Sequence, residues 1–239
     1  AIARVLDRAY FILGPETEAF EQAFAVYLGV KHVIGVANGT DAIQLALMAQ
    51  GVGPGDEVIC PALTAAPTAL AVMALGAHPV FADIDSATCT LDPASLEGCL
   101  SERTRAILPV HLYGLCADIP AIRAFAERHG LTVIEDVAQA HGAEIAGARA
   151  GNLALAAAFS FYPTKNLGAY GDGGAVATSD DALAAKLRSL RDLGQEGRFN
   201  HVWPGLNSRL DELQAAVLHV KLAHLEAYTT ARRERAEWY

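Results

Sequence analysis

No stretch of this chain comes near the ~20 consecutive apolar residues that a helical bilayer crossing requires, although 52% of its residues are hydrophobic. No membrane helix is predicted. Cysteine is scarce: Cys60, Cys89, Cys99 and Cys116 form no C-x-x-C pair and keep no ligand spacing with histidine. A zinc or iron–sulfur centre is therefore not expected, and the four read as the reduced thiols of a cytoplasmic protein. Positive charge is also in short supply. Eighteen Lys and Arg against 27 Asp and Glu leave a net charge of −9, and neither sign gathers into a block or stripe. The electrostatic footprint of a nucleic-acid binder is missing. Ala1-Ile2-Ala3-Arg4 shows no basic region ahead of an apolar core, so no export signal is expected. Internal repeats and low-complexity tracts are absent too.

What is present is alternation. At 239 residues and a mean hydropathy of +0.24, the chain can bury one large core and the start of a second. Short apolar runs alternate with helical patterns, which predicts an α/β domain with a largely parallel sheet. Strands are expected at His32–Val36, Glu57–Cys60, Pro79–Ala82, Ala106–Val110, Leu131–Ile134, Phe159 onward and Gly173–Ala177. A helix opening at Pro15 shows Phe20, Phe24, Tyr27 and Leu28 on one face and closes at Gly29; another, from Thr64 to Leu75, must hold Pro67 in its first turn. From about Ser208 to Tyr239 the apolar spacing predicts one long amphipathic helix. The division expected is 1–207 as a large domain, its N-terminal segment incomplete, and 208–239 as a helix leading toward a missing small C-terminal domain.

Two charged residues stand at strand ends. Leu131-Thr132-Val133-Ile134 runs into Glu135-Asp136, and Phe159-Ser160-Phe161 runs into a polar loop holding Lys165. In parallel sheets ligands collect beyond the carboxyl ends of the strands, so Asp136 and Lys165 can face one ligand. An amine able to form a Schiff base and an anion able to keep a ring nitrogen protonated are the two requirements of pyridoxal phosphate. The plain alternatives are a surface lysine and a loop-start carboxylate. Against them stand the second polar group at Gln139 and the glycine-rich run Gly168–Gly174, whose backbone freedom suggests close approach to a bound group. Ser160 offers a hydroxyl for a phosphate oxygen.

Asn38-Gly39-Thr40-Asp41 lies between a strand and a helix, where free N–H groups and the helix dipole attract phosphate. An N-cap by Thr40 or Asp41 is the plain reading. Glu135 has the opposite strand parity to Asp136 and is expected to be structural. His141 reads equally as a packed imidazole or a catalytic one. Asn207-Ser208-Arg209 offers an amide and a guanidinium suited to an anion, or an N-cap with Arg209 solvated.

Taken together, Asn38-Gly39-Thr40-Asp41-Ala42, Gly53-Pro54-Gly55-Asp56-Glu57-Val58, Pro79 through Asp85, Pro109-Val110-His111-Leu112-Tyr113-Gly114, Glu135 through Gly142, Ser160 through Gly168 and Asn207 through Glu212 resemble the DegT/DnrJ/EryC1/StrS family of sugar aminotransferases. The resemblance covers nearly the whole chain. It implies the type I fold of pyridoxal-phosphate enzymes, with a mostly parallel seven-stranded sheet flanked by helices, and a homodimer whose active sites lie at the subunit interface. It implies that Lys165 is the Schiff-base lysine and Asp136 the partner of the pyridine nitrogen. Gln139 then lies near the 3-hydroxyl, Gly39, Thr40 and Ser160 form the phosphate cup, and Asn207 or Arg209 reaches the neighbouring subunit's phosphate. Ala65 stands where many members stack an aromatic ring, a departure that favours a 3-keto sugar.

The activity implied is transfer of an amino group, from glutamate, to a keto group of a nucleotide-linked sugar. Related sugar 3-dehydratases resemble these enzymes but carry histidine at the position of Lys165. Aminotransferases of a cyclitol or an aminohydroxybenzoate precursor stay open as alternatives, as does a non-catalytic partner protein that keeps the fold.

Overall fold

The computed structural model describes residues 1–239. In chain order it contains α1 (Ile2–Arg8), α2 (Pro15–Leu28), β1 (His32–Val36), α3 (Gly39–Ala49), β2 (Glu57–Pro61), α4 (Ala66–Ala74), β3 (His78–Ala82), β4 (Thr104–Ile107), α5 (Ile119–His129) and β5 (Thr132–Asp136). There follow β6 (Glu144–Ile145), β7 (Ala148–Arg149), β8 (Ala156–Ser160), β9 (Gly174–Thr178), α6 (Asp181–Arg191), α7 (Glu212–Leu222) and α8 (Leu225–Ala236). Seven strands form one sheet in the order β1-β9-β8-β5-β4-β2-β3, while β6 and β7 make a separate small hairpin. Strands β3, β2, β4, β5 and β8 run parallel, and β9 is antiparallel to both β8 and β1. Six strands therefore share one direction, and the carboxyl ends of β1, β2, β4, β5 and β8 open on the same edge of the sheet.

The apolar runs are strands because both faces are covered, so every second residue meets a helix layer. Along β1, Ile34 and Val36 pack with Leu45 and Leu47 of α3 and Leu187 of α6, whereas Val33 faces Phe20, Phe24 and Leu28 of α2. Ile59, Ile107 and Val133 meet Ile122 and Phe125 of α5. The elements follow their sequence punctuation. Pro15 and Pro67 sit in first turns, Gly29 and Gly130 end α2 and α5 in the left-handed conformation, and Asp118 and Asp180 cap α5 and α6.

The C-terminal stretch departs from the single helix its periodicity predicts. Residues 208–211 are non-helical, and the helix breaks at Ala223 and His224, where His224 has ψ −2°. Tertiary contacts override the local pattern at both places. Glu212, almost fully buried, reaches across to the start of α2, accepting from the backbone N–H groups of Gly14 (3.0 Å), Glu16 (3.0 Å) and Thr17 (2.7 Å). That carboxylate caps a helix whose own N-cap, Gly14, has no side chain to do so. At the other break, Leu225 drops completely into the core while the rest of α8 is largely exposed.

Candidate active site

Strand β5 delivers two carboxylates to opposite faces, and their surroundings give them different work. Glu135 is fully buried and saturated: it accepts from His111 Nε2 (2.9 Å) and from the N–H groups of Gly151 (2.9 Å), Leu153 (2.9 Å) and Ala154 (3.0 Å). His111 Nδ1 in turn accepts from the Ala117 N–H at 3.0 Å, which leaves the proton on Nε2, facing the acid. This is the structural role that strand parity predicts for Glu135.

Asp136 is buried in a different sense. One oxygen accepts from the Ala138 N–H (3.0 Å) and the other from the Thr68 hydroxyl (2.8 Å), and Thr68 is itself joined to Thr64 at 2.7 Å. No cation forms a salt bridge with it. Burial pushes its carboxyl above the usual range, opposed by the Ala138 N–H, the Thr68 hydroxyl and the electrostatic influence of nearby His111 and Lys165. A carboxylate desolvated this far without a paired charge favours a protonated group set against it.

Such a group has room. A cavity of about 250 Å³ opens over Asp136, and Lys165, Gln139, Ser160, Gly39, Thr40, Ala65 and Asp172 all line it. Lys165 comes from the loop after β8, held by a turn in which its N–H donates to the Tyr162 carbonyl at 2.8 Å. At the far side lies the start of α3. The Asn38 side chain takes the Asp41 N–H (2.8 Å) and the Asn38 carbonyl that of Ala42, which leaves the N–H groups of Gly39 and Thr40 free at the positive end of the helix. A larger hollow of about 420 Å³ lies between Arg123 and Leu155 and contains none of these groups.

Several expectations need correction. The cap of α3 is Asn38, not Thr40 or Asp41. Gly39 is small for packing: a Cβ there would lie 2.6 Å from the Cβ of Ser160, so α3 can start against the end of β8 only with glycine. In the Gly168–Gly174 run no glycine has a positive φ. Gly168 and Gly174 make way for the chain's own Pro163 and Asn38 rather than for a ligand. Neither Asn207 nor Ser208 caps a helix, since α7 begins at Glu212, and Ser208 accepts from the Ala37 N–H instead. Arg209 is not solvated; it pairs with Asp192 at 2.8 Å. Asn207 is exposed and does not line the cavity.

His141 proves to be a packed ring. It lies 5.5 Å from the Phe159 ring and 5.9 Å from that of Phe161, and burial, with help from Lys165, pushes its pKa down to about 3. A contact with the Ser160 backbone offsets this only in part and falls short of a hydrogen bond. The residues that sequence reasoning missed are Thr64, Thr68 and His111. Thr64 lies in the loop before α4 and Thr68 in its first turn, and the fold brings their linked hydroxyls to Asp136; nothing local marks His111.

A doubly covered, mostly parallel sheet with a lysine, a buried aspartate and a helix N-terminus converging at its carboxyl edge defines the large domain of a type I pyridoxal-phosphate fold. The chain belongs to the DegT/DnrJ/EryC1/StrS aminotransferase family, whose model matches residues 1–239. Over its whole length it is 53% identical to the dTDP-3-amino-3,4,6-trideoxy-alpha-D-glucose transaminase of Streptomyces venezuelae, covering 63% of that protein. It is also 53% identical to a pleiotropic regulatory protein of Geobacillus stearothermophilus, covering 65% of it. Among solved structures, S. venezuelae DesV in complex with a ketimine intermediate superposes with a TM-score of 0.93 at 54% identity, over 95% of this chain and 61% of that one. The chain thus spans less than two thirds of the length of these relatives.

Proposed function

We propose that this chain carries the cofactor-binding part of a pyridoxal-phosphate-dependent aminotransferase that moves an amino group from glutamate to a keto group of a nucleotide-linked sugar. The observation that supports it most is a single cavity bounded by a buried, unpaired Asp136, a lysine and two free helix N–H groups. Pyridoxal 5′-phosphate, when bound, supplies an electrophilic carbonyl and a ring that takes up the electrons released at the donor's α-carbon.

The residues present fit that group. Gly39 and Thr40 N–H groups, with the Thr40 and Ser160 hydroxyls, bind the phosphate at the positive end of α3. Asp136 accepts from the ring N–H and holds its proton there, because a neutral ring would leave the carboxylate buried alone. Thr68 and Ala138 orient it. Gln139 is the partner for the ring hydroxyl. Lys165 would be the covalent anchor, and once released its Nζ would move the proton from the donor's α-carbon to the cofactor.

A 3-keto sugar is the favoured acceptor. Ala65 leaves that wall of the cavity without an aromatic ring, and the S. venezuelae relative is named for a 3-amino sugar. We further read the protein as a cytoplasmic homodimer. Four free thiols fit a reducing compartment, and the exposure of Asn207 outside its own cavity supports a role at a partner's phosphate. A non-catalytic, cofactor-holding regulator is the second reading, prompted by the Geobacillus relative; an intact Lys165 and Asp136 weigh against it.

The test combines the purified protein with pyridoxal phosphate, glutamate and a panel of nucleotide-linked ketosugars, with products identified by mass. Expected are an aminated 3-ketosugar and a visible absorbance that borohydride removes, both lost in Lys165→Ala. Normal turnover by that variant overturns the assignment.

A further inference from the structure

A second cavity, of about 350 Å³, adjoins the first and shares Lys165 and Gln139 with it. Its other walls are Tyr113, Gly114, Thr164, Asn166 and Arg232. The composition of this lining is one-sided: two cations, two amides and two hydroxyls, without a single carboxylate. In a chain of net charge −9, such a surface runs against the prevailing sign and favours an oxyanion.

Arg232 is the distinctive member. It projects from α8, is exposed, and forms none of the protein's salt bridges. Opposite it, Tyr113 sits in a tight turn closed by the Leu115 N–H donating to the Leu112 carbonyl at 2.9 Å. Tyr113 has φ 54° and Gly114 φ 87°. The left-handed region is strained for tyrosine, yet the residue is 76% exposed and gains no core packing in return. Phe199 combines positive φ with the same exposure elsewhere, so it is the position of Tyr113 beside Lys165, together with the strain, that points to a contact here.

We propose that Arg232, with Tyr113 and Asn166, forms an oxyanion subsite at the mouth of the lysine cavity, receiving the anionic end of a substrate whose reacting carbon lies at Lys165. The inference rests on the aminotransferase reading and adds to it a residue that recognises substrate. A planar guanidinium beside an amide and a phenol binds a carboxylate or a phosphate by the same paired N–H donors. Two substrates offer that chemistry: the carboxylates of the amino donor and the diphosphate of the sugar nucleotide.

The experiment measures dissociation constants by calorimetry on the cofactor-loaded protein. One arm titrates 2-oxoglutarate, the other thymidine diphosphate and uridine diphosphate, against the parent, Arg232→Ala and Arg232→Lys. In Arg232→Ala the affinity for one of these classes falls about 10- to 100-fold, the range for losing a hydrogen-bonded charge, and Arg232→Lys recovers part of it. A loss confined to 2-oxoglutarate assigns the subsite to the donor; one confined to the diphosphates assigns it to the sugar nucleotide. Turnover should show the same change in KM for that substrate, with kcat nearly constant. Unchanged affinity for every ligand, no binding to the parent, or loss of the borohydride-sensitive absorbance in Arg232→Ala overturns the subsite. If the parent itself never develops that absorbance, the aminotransferase reading fails instead.

Discussion

At Asp136 two demands pull against each other. In the role proposed for it the side chain must be an anion to hold a ring proton, yet it is buried without a charged partner of its own. A carboxyl whose folded pKa lies above its unfolded value contributes stability in full below the unfolded value, and that contribution is lost as pH rises through the folded one. Without cofactor, the protein therefore loses stability relative to Asp136→Asn as pH climbs from about 4, the ordinary aspartate value, through the raised value of the buried group. Asp136→Asn should melt higher than the parent at pH 8, with the gap closing toward pH 4, as thermal denaturation of cofactor-free protein would show. In the loaded enzyme the same change should lower kcat at least ~100-fold, the size of a lost acid–base contribution. A variant both less stable and fully active would contradict the role given to this carboxylate.

Two elements depend on residues that the linear sequence places far away. The N-terminus of α2 has its cap in Glu212, nearly two hundred positions later. Removing it in Glu212→Ala leaves three N–H groups without their acceptor in a buried place, at a cost of about 2–3 kcal/mol, readable from urea unfolding. The start of α3 leans on the end of β8 through Gly39 and Ser160. In Gly39→Ala the new methyl meets Ser160 at 2.6 Å, and overpacking of this kind costs about 1–3 kcal/mol. Because the same residues bound the cavity, the variant should also bind pyridoxal phosphate more weakly, as measured by the visible spectrum at rising cofactor concentration. Loss of stability with unchanged cofactor affinity would separate the packing role of Gly39 from the binding role proposed for it.

For the whole molecule, the cavity assembles groups from the ends of β1, β5 and β8 and from the start of α4, and a shared strand direction brings them together. Asn207 stays outside. If it serves a partner's phosphate, Lys165→Ala and Asn207→Ala are defects in different subunits of one site. Each variant alone should then be inactive or weak, and mixing them under conditions that exchange subunits should restore part of the turnover. No recovery, with mixed dimers shown to form, would place Asn207 outside the reaction.

Sequence alone settled the features that depend on neighbours a few positions apart. The strands could be read from short apolar runs, helix ends from Pro15, Pro67, Gly29 and Gly130, and the opposite fates of Glu135 and Asp136 from strand parity, since pleating fixes which face each takes. That Lys165 and Asp136 could face one cavity was legible from their places at the carboxyl ends of strands. Tertiary structure alone decided the rest. The Thr68–Asp136 contact, the His111–Glu135 pair, the Glu212 cap, the break before Leu225 and the Arg232 cavity all depend on distances between segments remote in the chain. Such distances follow from how layers pack over the sheet, and no local periodicity encodes them.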